Sequence, residues 1–140
     1  MVNDVSAILI LEDESAIRNM LRVTLDSCGY ETLEAGMAEE AYRCFEDADA
    51  GINLLISDLN LPGRVSGVRV ALELRALLPS LRLILISGAP ISAWGDQDAA
   101  ELNEIPSDSV VFLQKPFDTT TFLNAVHRLI GIPMVAVASS

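Results

Sequence analysis

The sequence predicts an α/β domain built on an open, doubly wound parallel sheet, and three observations carry that prediction. Apolar-rich runs of strand length recur at Ala7 to Leu11, Ile52 to Ser57, Leu81 to Ile86 and Val110 to Leu113, and the first and third are dense enough to suit strands covered on both faces. Segments with apolar residues at helical spacing separate them. Each run ends in a side chain able to do chemistry: Glu12-Asp13, Asp58, Ser87 and Lys115. Five βα units in succession imply right-handed crossovers and helices on both faces, a three-layer sandwich. In such sheets ligands bind beyond the carboxyl ends of the strands, where strand order reverses, and the four strand ends fall there.

Taken in order, Ala7 to Leu11 is strand one, ending at Glu12-Asp13-Glu14. Ile17, Met20, Leu21, Thr24, Leu25 and Cys28 mark the inner stripe of helix one, and Gly29 stops it as a residue just past a helix end should. Tyr30 to Ala35 is strand two; Ala38, Ala41, Tyr42 and Phe45 mark helix two, with an acidic loop at Glu46 to Asp49. Strand three, Ile52 to Ser57, meets Asp58 and then the Pro62-Gly63 breaker, which places Asp58 where a buried strand gives way to a loop. Taken alone, that segment suits an Asp capping a turn.

Ser66 can cap helix three, whose inner face is Val68, Ala71, Leu72, Leu74, the Arg75 stem and Leu78, and Pro79 ends it. Leu81 to Ile86 is a strand central or next to central, ending in Ser87-Gly88. Pro90, Gly95 and Pro106 interrupt residues 89–108, where Ile91, Trp94, Ala99 and Leu102 offer the stripe of a fourth helix. Trp94 and Ile91 suit core packing and an exposed partner surface equally. Val110 to Leu113 is strand five, and Asp118 caps a fifth helix with Phe122, Leu123, Val126, Leu129 and Ile130 inside. Residues 131–140 carry no pattern.

One hundred and forty residues, 51% of them hydrophobic, suit a single domain with a real core. A formal charge of −11 and a pI near 4.3 argue against nucleic acid as a partner, because a phosphate backbone would be repelled. No basic leader and no apolar run long enough for a bilayer stand in the chain, so a soluble cytoplasmic protein without a membrane partner is expected. Cys28 and Cys44 read as small buried hydrophobes, and a single His127 without Cys/His ligand spacing excludes a zinc site of the usual kind. His127, beside Arg128 late on the last helix, suits the negative helix end better than a phosphorelay role.

Three carboxylates, Glu12, Asp13 and Asp58, converging in one cleft repel one another, and a hard divalent cation such as Mg²⁺ is the simplest remedy. A metal-bound carboxylate exposed at a loop can attack phosphorus to give an acyl phosphate. Metal, the Lys115 ammonium and the Ser87 hydroxyl would stabilise charge on the transferring group.

With these motifs in place, residues 7–130 resemble the receiver domain of two-component response regulators. The resemblance rests on Leu11-Glu12-Asp13-Glu14, Asp58-Leu59-Asn60-Leu61-Pro62-Gly63, Ser87-Gly88, Phe112 three residues before the lysine, and Lys115-Pro116-Phe117. It implies a flavodoxin-like fold with strand order 2-1-3-4-5 and a receiver over 1–130 followed by an unassigned tail, 131–140. It implies Asp58 as phosphoacceptor, and Mg²⁺ held by Glu12, Asp13, Asp58 and the Asn60 backbone carbonyl. Ser87 would bind the phosphoryl group, Lys115 would pair with it, and Ser87 and Phe112 would form the switch. The implied partners are a histidine kinase or phosphotransfer protein and an unknown downstream protein, with a monomer or weak homodimer through the fourth helix, strand five and fifth helix. The domain would be a switch, not an enzyme, with only self-catalysed phosphorylation and dephosphorylation.

Three departures stand out: Glu12 where many members have Asp, Gly67 one residue further from Asp58 than in the shortest members, and Phe112 in place of Tyr. The Leu-Pro-Gly-Arg-Val-Ser-Gly form over 61–67 looks like receivers of hybrid sensor kinases. An FMN protein of the same fold is disfavoured by Glu12-Asp13-Glu14, which would repel the cofactor phosphate. A phosphatase with an aspartate nucleophile would need an acid where Asn60 stands. A receiver-like scaffold that never turns over phosphate remains a third reading.

Overall fold

A computed structural model describes residues 7–48, 51–59, 67–88, 100 and 102–132. Five strands, β1 (Ala7–Leu11), β2 (Glu31–Ala35), β3 (Ile52–Asp58), β4 (Arg82–Ser87) and β5 (Val110–Gln114), form one parallel sheet in the order β2-β1-β3-β4-β5. The described helices are α1 (Ser15–Ser27), α2 (Ala38–Asp47), α3 (Gly67–Leu77) and the C-terminal α4 (Thr119–Ile130). The order reverses beside β1, so the carboxyl ends of β1, β3, β4 and β5 share one rim.

Strand alternation divides the core. Ile8 and Ile10 of β1, with Leu54 and Ile56 of β3, face Leu21 and Leu25 of α1 and Phe122 and Val126 of α4. Leu9, Leu11 and Leu55 face Ala41 and Phe45 of α2 and Val68, Ala71 and Leu74 of α3. Each fully buried Leu or Ile contributes about 1.5–3 kcal/mol, and both faces of β1, β3 and β4 are filled this way. Among the described residues no helix is long and apolar enough to cross a membrane.

Local signals account for several helix ends. Gly29, at φ 93°, closes α1: its amide donates to the Asp26 carbonyl and that of Tyr30 to Leu25, the paired C-terminal bonds that favour glycine. Asp118 Oδ1 accepts from the Thr121 amide at 2.7 Å and starts α4, which holds the Asp118 carboxyl below its usual range.

Several expectations shift. β3 runs one residue further, through Asp58, because Leu59 N still bonds to the Ile86 carbonyl at 2.8 Å and keeps the ladder closed. Glu46 and Asp47 belong to the last turn of α2, whose amphipathic stripe carries through the acidic stretch. Tyr30 precedes β2 and Leu81 precedes β4. Val70, outside the predicted inner face of α3, is fully buried, as is Ala125 of α4 to within 6%. Met20, assigned to the inner stripe of α1, is 47% exposed; Cys28 and Cys44 are half-buried free thiols. Burial pushes the Cys44 thiol up, with nearby Glu40 and Asp47 adding to the effect. Ser66, Ile91, Trp94, Ala99, residues 133–140 and most of the helix expected over 89–108 lie outside the described residues. At the end of that stretch Leu102 is buried against the α2/α3 side of the sheet.

Candidate functional site

The rim of the sheet brings four predicted side chains together. Glu12 follows β1, its amide donating to the Ala35 carbonyl at 3.0 Å, and it is only 1% exposed. Asp58 ends the central strand β3 and is 2% exposed, a correction to the loop-exposed carboxylate the sequence predicts. Flanking strands β1 and β4 cover it from both sides. The N-terminus of α3 covers it from above, since a Cβ on Gly67 would come within 2.1 Å of the Asp58 carbonyl oxygen. Ser57 Oγ donates to the Gly67 carbonyl at 3.1 Å and fastens that approach. Asp13 is exposed. One carboxylate oxygen from each of Glu12, Asp13 and Asp58 lies within 4.8 Å of the others.

Lys115, one residue past β5, reaches into this cluster. Its Nζ lies 3.2 Å from Asp58 Oδ2 and 3.5 Å from Glu12 Oε1. Its amide bonds to the Ser87 carbonyl at 2.8 Å, which joins the ends of β4 and β5, and the Lys115-Pro116 peptide is cis. Ser87 is buried at the end of β4, one step beyond Ile86, the register partner of Asp58. Phe112 stands two residues before the end of β5, opposite Leu85 and 38% exposed. Asn60 lies outside the described residues.

The electrostatics follow from this crowding. Burial pushes the Glu12 carboxyl up to about 7; the Glu14 amide, donating to Oε2 at 3.1 Å, and Lys115 pull it down, while repulsion by and hydrogen bonding with Asp58 push it further up. Burial alone would lower the Lys115 ammonium, but Asp58 and then Glu12 outweigh it and hold it above its ordinary value.

Whether these residues suit a divalent cation can be asked of the donor set itself. Among the described residues the buried Glu12 Oε1 accepts no hydrogen bond, and its cationic neighbour is the Lys115 ammonium at 3.5 Å. It shares a small volume with two further carboxylates, and hard oxygen donors at this spacing suit Mg²⁺. The residues fit.

Ser57 and Arg18 escape the sequence pattern altogether, and Gly67 is marked there only by its spacing from Asp58. Gly67 admits α3 against Asp58, Ser57 ties the two together, and Arg18 Nη1 donates to the Glu12 carbonyl at 2.7 Å. Arg18 stands one helical turn past the acidic loop, but its partner is a backbone carbonyl, so no residue pattern marks it.

The chain as a whole is similar to a wider group of proteins. The family model for the response regulator receiver domain matches residues 8–127. The sensor kinase CckA of Brucella abortus is 29% identical over 126 residues, 89% of this chain and 12% of that protein. The aerobic respiration control protein ArcA of Escherichia coli K12 is 32% identical over 127 residues, 91% of this chain and 49% of that protein. The chain thus spans about half the length of one curated relative and a small part of the other. Among solved structures, the response regulator TrrA of Thermotoga maritima in complex with Mg²⁺-BeF superposes with a TM-score of 0.72 at 27% identity, covering 89% of this chain and 99% of that one.

Proposed function

The chain belongs to the response regulator receiver domain family, and on that footing we propose that it takes a phosphoryl group from a phosphohistidine donor onto Asp58 and so switches a partner-binding surface. The observation that carries this reading is the buried Asp58 carboxylate, 3.2 Å from the Lys115 ammonium and grouped with the Glu12 and Asp13 carboxylates. Burial among neighbours leaves Asp58 preorganised on a strand end rather than mobile on a loop.

Glu12, Asp13, Asp58 and the Asn60 carbonyl would hold Mg²⁺, which when bound neutralises the carboxylates and the phosphoryl oxygens. The chain's own residues do the rest. An Asp58 carboxylate oxygen attacks phosphorus, the P–N bond to the donor imidazole breaks, and its electron pair leaves on the ring nitrogen of an imidazole already protonated at its other nitrogen, which departs neutral. Lys115 shifts its ammonium from the carboxylate to a phosphoryl oxygen, and the Ser87 hydroxyl donates to another. Later attack by water on phosphorus would return Asp58 to its free form.

The donor would be a histidine kinase or phosphotransfer protein. A mainly apolar groove of about 210 Å³, lined by Ile17, Met20, Lys115, Pro116 and Phe117, opens beside the site and would seat the helix presenting the phosphohistidine. Phe112 would turn inward when Ser87 is drawn toward the phosphoryl group, changing the face that β5 and α4 present. That face would serve a downstream protein or a weak homodimer. We further assign the receiver to residues 1–130, place it in the cytoplasm, and read it as related to receivers of hybrid kinases, the class to which the CckA similarity points. Incubation with phosphoramidate and Mg²⁺, followed by intact mass, tests the assignment: one phosphoryl group on the wild type and none on Asp58→Asn is expected.

A further inference from the structure

Parallel pairing between β1 and β2 ends at Leu11 and Ala35, and the last bond past it is the Glu12 amide on the Ala35 carbonyl. Beyond that point β2 turns through Gly36 and Met37 into α2, so the Glu12 carbonyl has left the sheet ladder and needs a donor from elsewhere. Arg18 supplies it, with Nη1 at 2.7 Å. The guanidinium is itself braced, because its Nε lies 3.4 Å from Glu34 Oε1 while Arg22 Nε holds Glu34 Oε2 at 3.2 Å. The turn leaves room for it: a Cβ on Gly36 would lie 3.2 Å from Arg18 Nη1.

We propose that Arg18 is a positioning residue for the acidic pair: by fixing the peptide that joins Glu12 to Asp13, it aims the exposed Asp13 carboxylate at the cluster and raises its affinity for a divalent cation. Asp13 has no burial to orient it, so its aim depends on the peptide on which it stands. The Arg18 fork, gripping Glu34 and the Glu12 carbonyl at once, transmits the rigid α1/β2 packing to that peptide. This inference rests on the proposed metal site and adds to it a residue that touches no ligand.

The test uses the whole chain with Mg²⁺ alone as probe, by isothermal titration, and follows the metal-free fold by thermal unfolding in EDTA. Arg18→Met is expected to bind Mg²⁺ about tenfold more weakly. Arg18→Lys is expected to recover part of the loss, since one ammonium donor reaches the Glu12 carbonyl. A cation acting only through its charge would give the opposite order, with Arg18→Met the tightest binder. Unchanged or tighter binding in Arg18→Met overturns the proposal. Should that variant not fold in EDTA, Gly36→Val carries the test: it leaves every charge in place and crowds the guanidinium off the carbonyl. Weaker binding supports the proposal and unchanged binding overturns it. A wild type that gives no Mg²⁺ heat contradicts the metal site itself, and the role of Arg18 with it.

Discussion

Replacing Glu12 by Gln removes one charge from the acidic cluster while keeping the shape of the side chain and an oxygen for the Glu14 amide. In the metal-free protein the Glu12 carboxyl is pushed up from its ordinary 4.5 to about 7, first by burial. At 1.36 kcal/mol per unit, ionising this carboxyl costs the folded state about 3 kcal/mol relative to the unfolded chain. Because the folded value is the higher one, the cost is absent below about pH 4.5, grows as pH rises and is complete above about pH 7. Glu12→Gln does not titrate and escapes it. In EDTA at pH 8 the variant should therefore be more stable than the wild type by up to about 3 kcal/mol, or about 10 °C in Tm for a domain of this size. At pH 5 the gap should shrink to about 1 kcal/mol. Urea and thermal unfolding at both pH values measure the difference. A gap of the same size at pH 5 and pH 8, or a less stable variant at pH 8, would refute the reasoning.

Other consequences are equally direct. Mg²⁺ must displace the Glu12 proton, so its affinity should fall by up to about tenfold for each pH unit below 7, as titration calorimetry at pH 6, 7 and 8 would read. Asp13→Ala should lose Mg²⁺-dependent thermal stabilisation and gain stability in EDTA; no Mg²⁺ effect on the wild type would make the cluster ordinary surface charge. Gly67→Ala would bring a Cβ within 2.1 Å of the Asp58 carbonyl and should lower stability by about 1–3 kcal/mol in urea unfolding, whereas a neutral result would show that α3 stands further off. Aromatic-ring NMR of the free and beryllofluoride-bound protein should show Phe112 in two environments; a single one would make it packing only.

The fold was legible wherever one physical cause dominated. Val/Ile/Leu-rich runs favour strands covered on both faces, as β1, β3 and β4 are, and these three and the edge strand β5 lie within a residue of the predicted spans. Gly29 and Asp118 marked helix ends because their chemistry acts within a few residues. What escaped was set by contacts between segments distant in the sequence. Asp58 is buried because β1, β4 and the start of α3 close around it, and no local pattern reports that. Val70 is buried in the cluster that α2 and α3 share against the sheet, which a stripe counted for a single face omits. The gathering of Glu12, Asp13, Asp58 and Lys115 was legible from strand order alone, whereas Arg18 was not, because its partner is a backbone carbonyl, which every residue carries.

The measurement that bears most directly on the central claim is intact mass after exposure to phosphoramidate and Mg²⁺, read on the wild type, on Asp58→Asn and on the wild type in EDTA. One added phosphoryl group is expected on the wild type with Mg²⁺, removed by hydroxylamine, and none in the other two samples. Equal labelling of Asp58→Asn, or an unchanged wild-type mass with Mg²⁺ present, would contradict it.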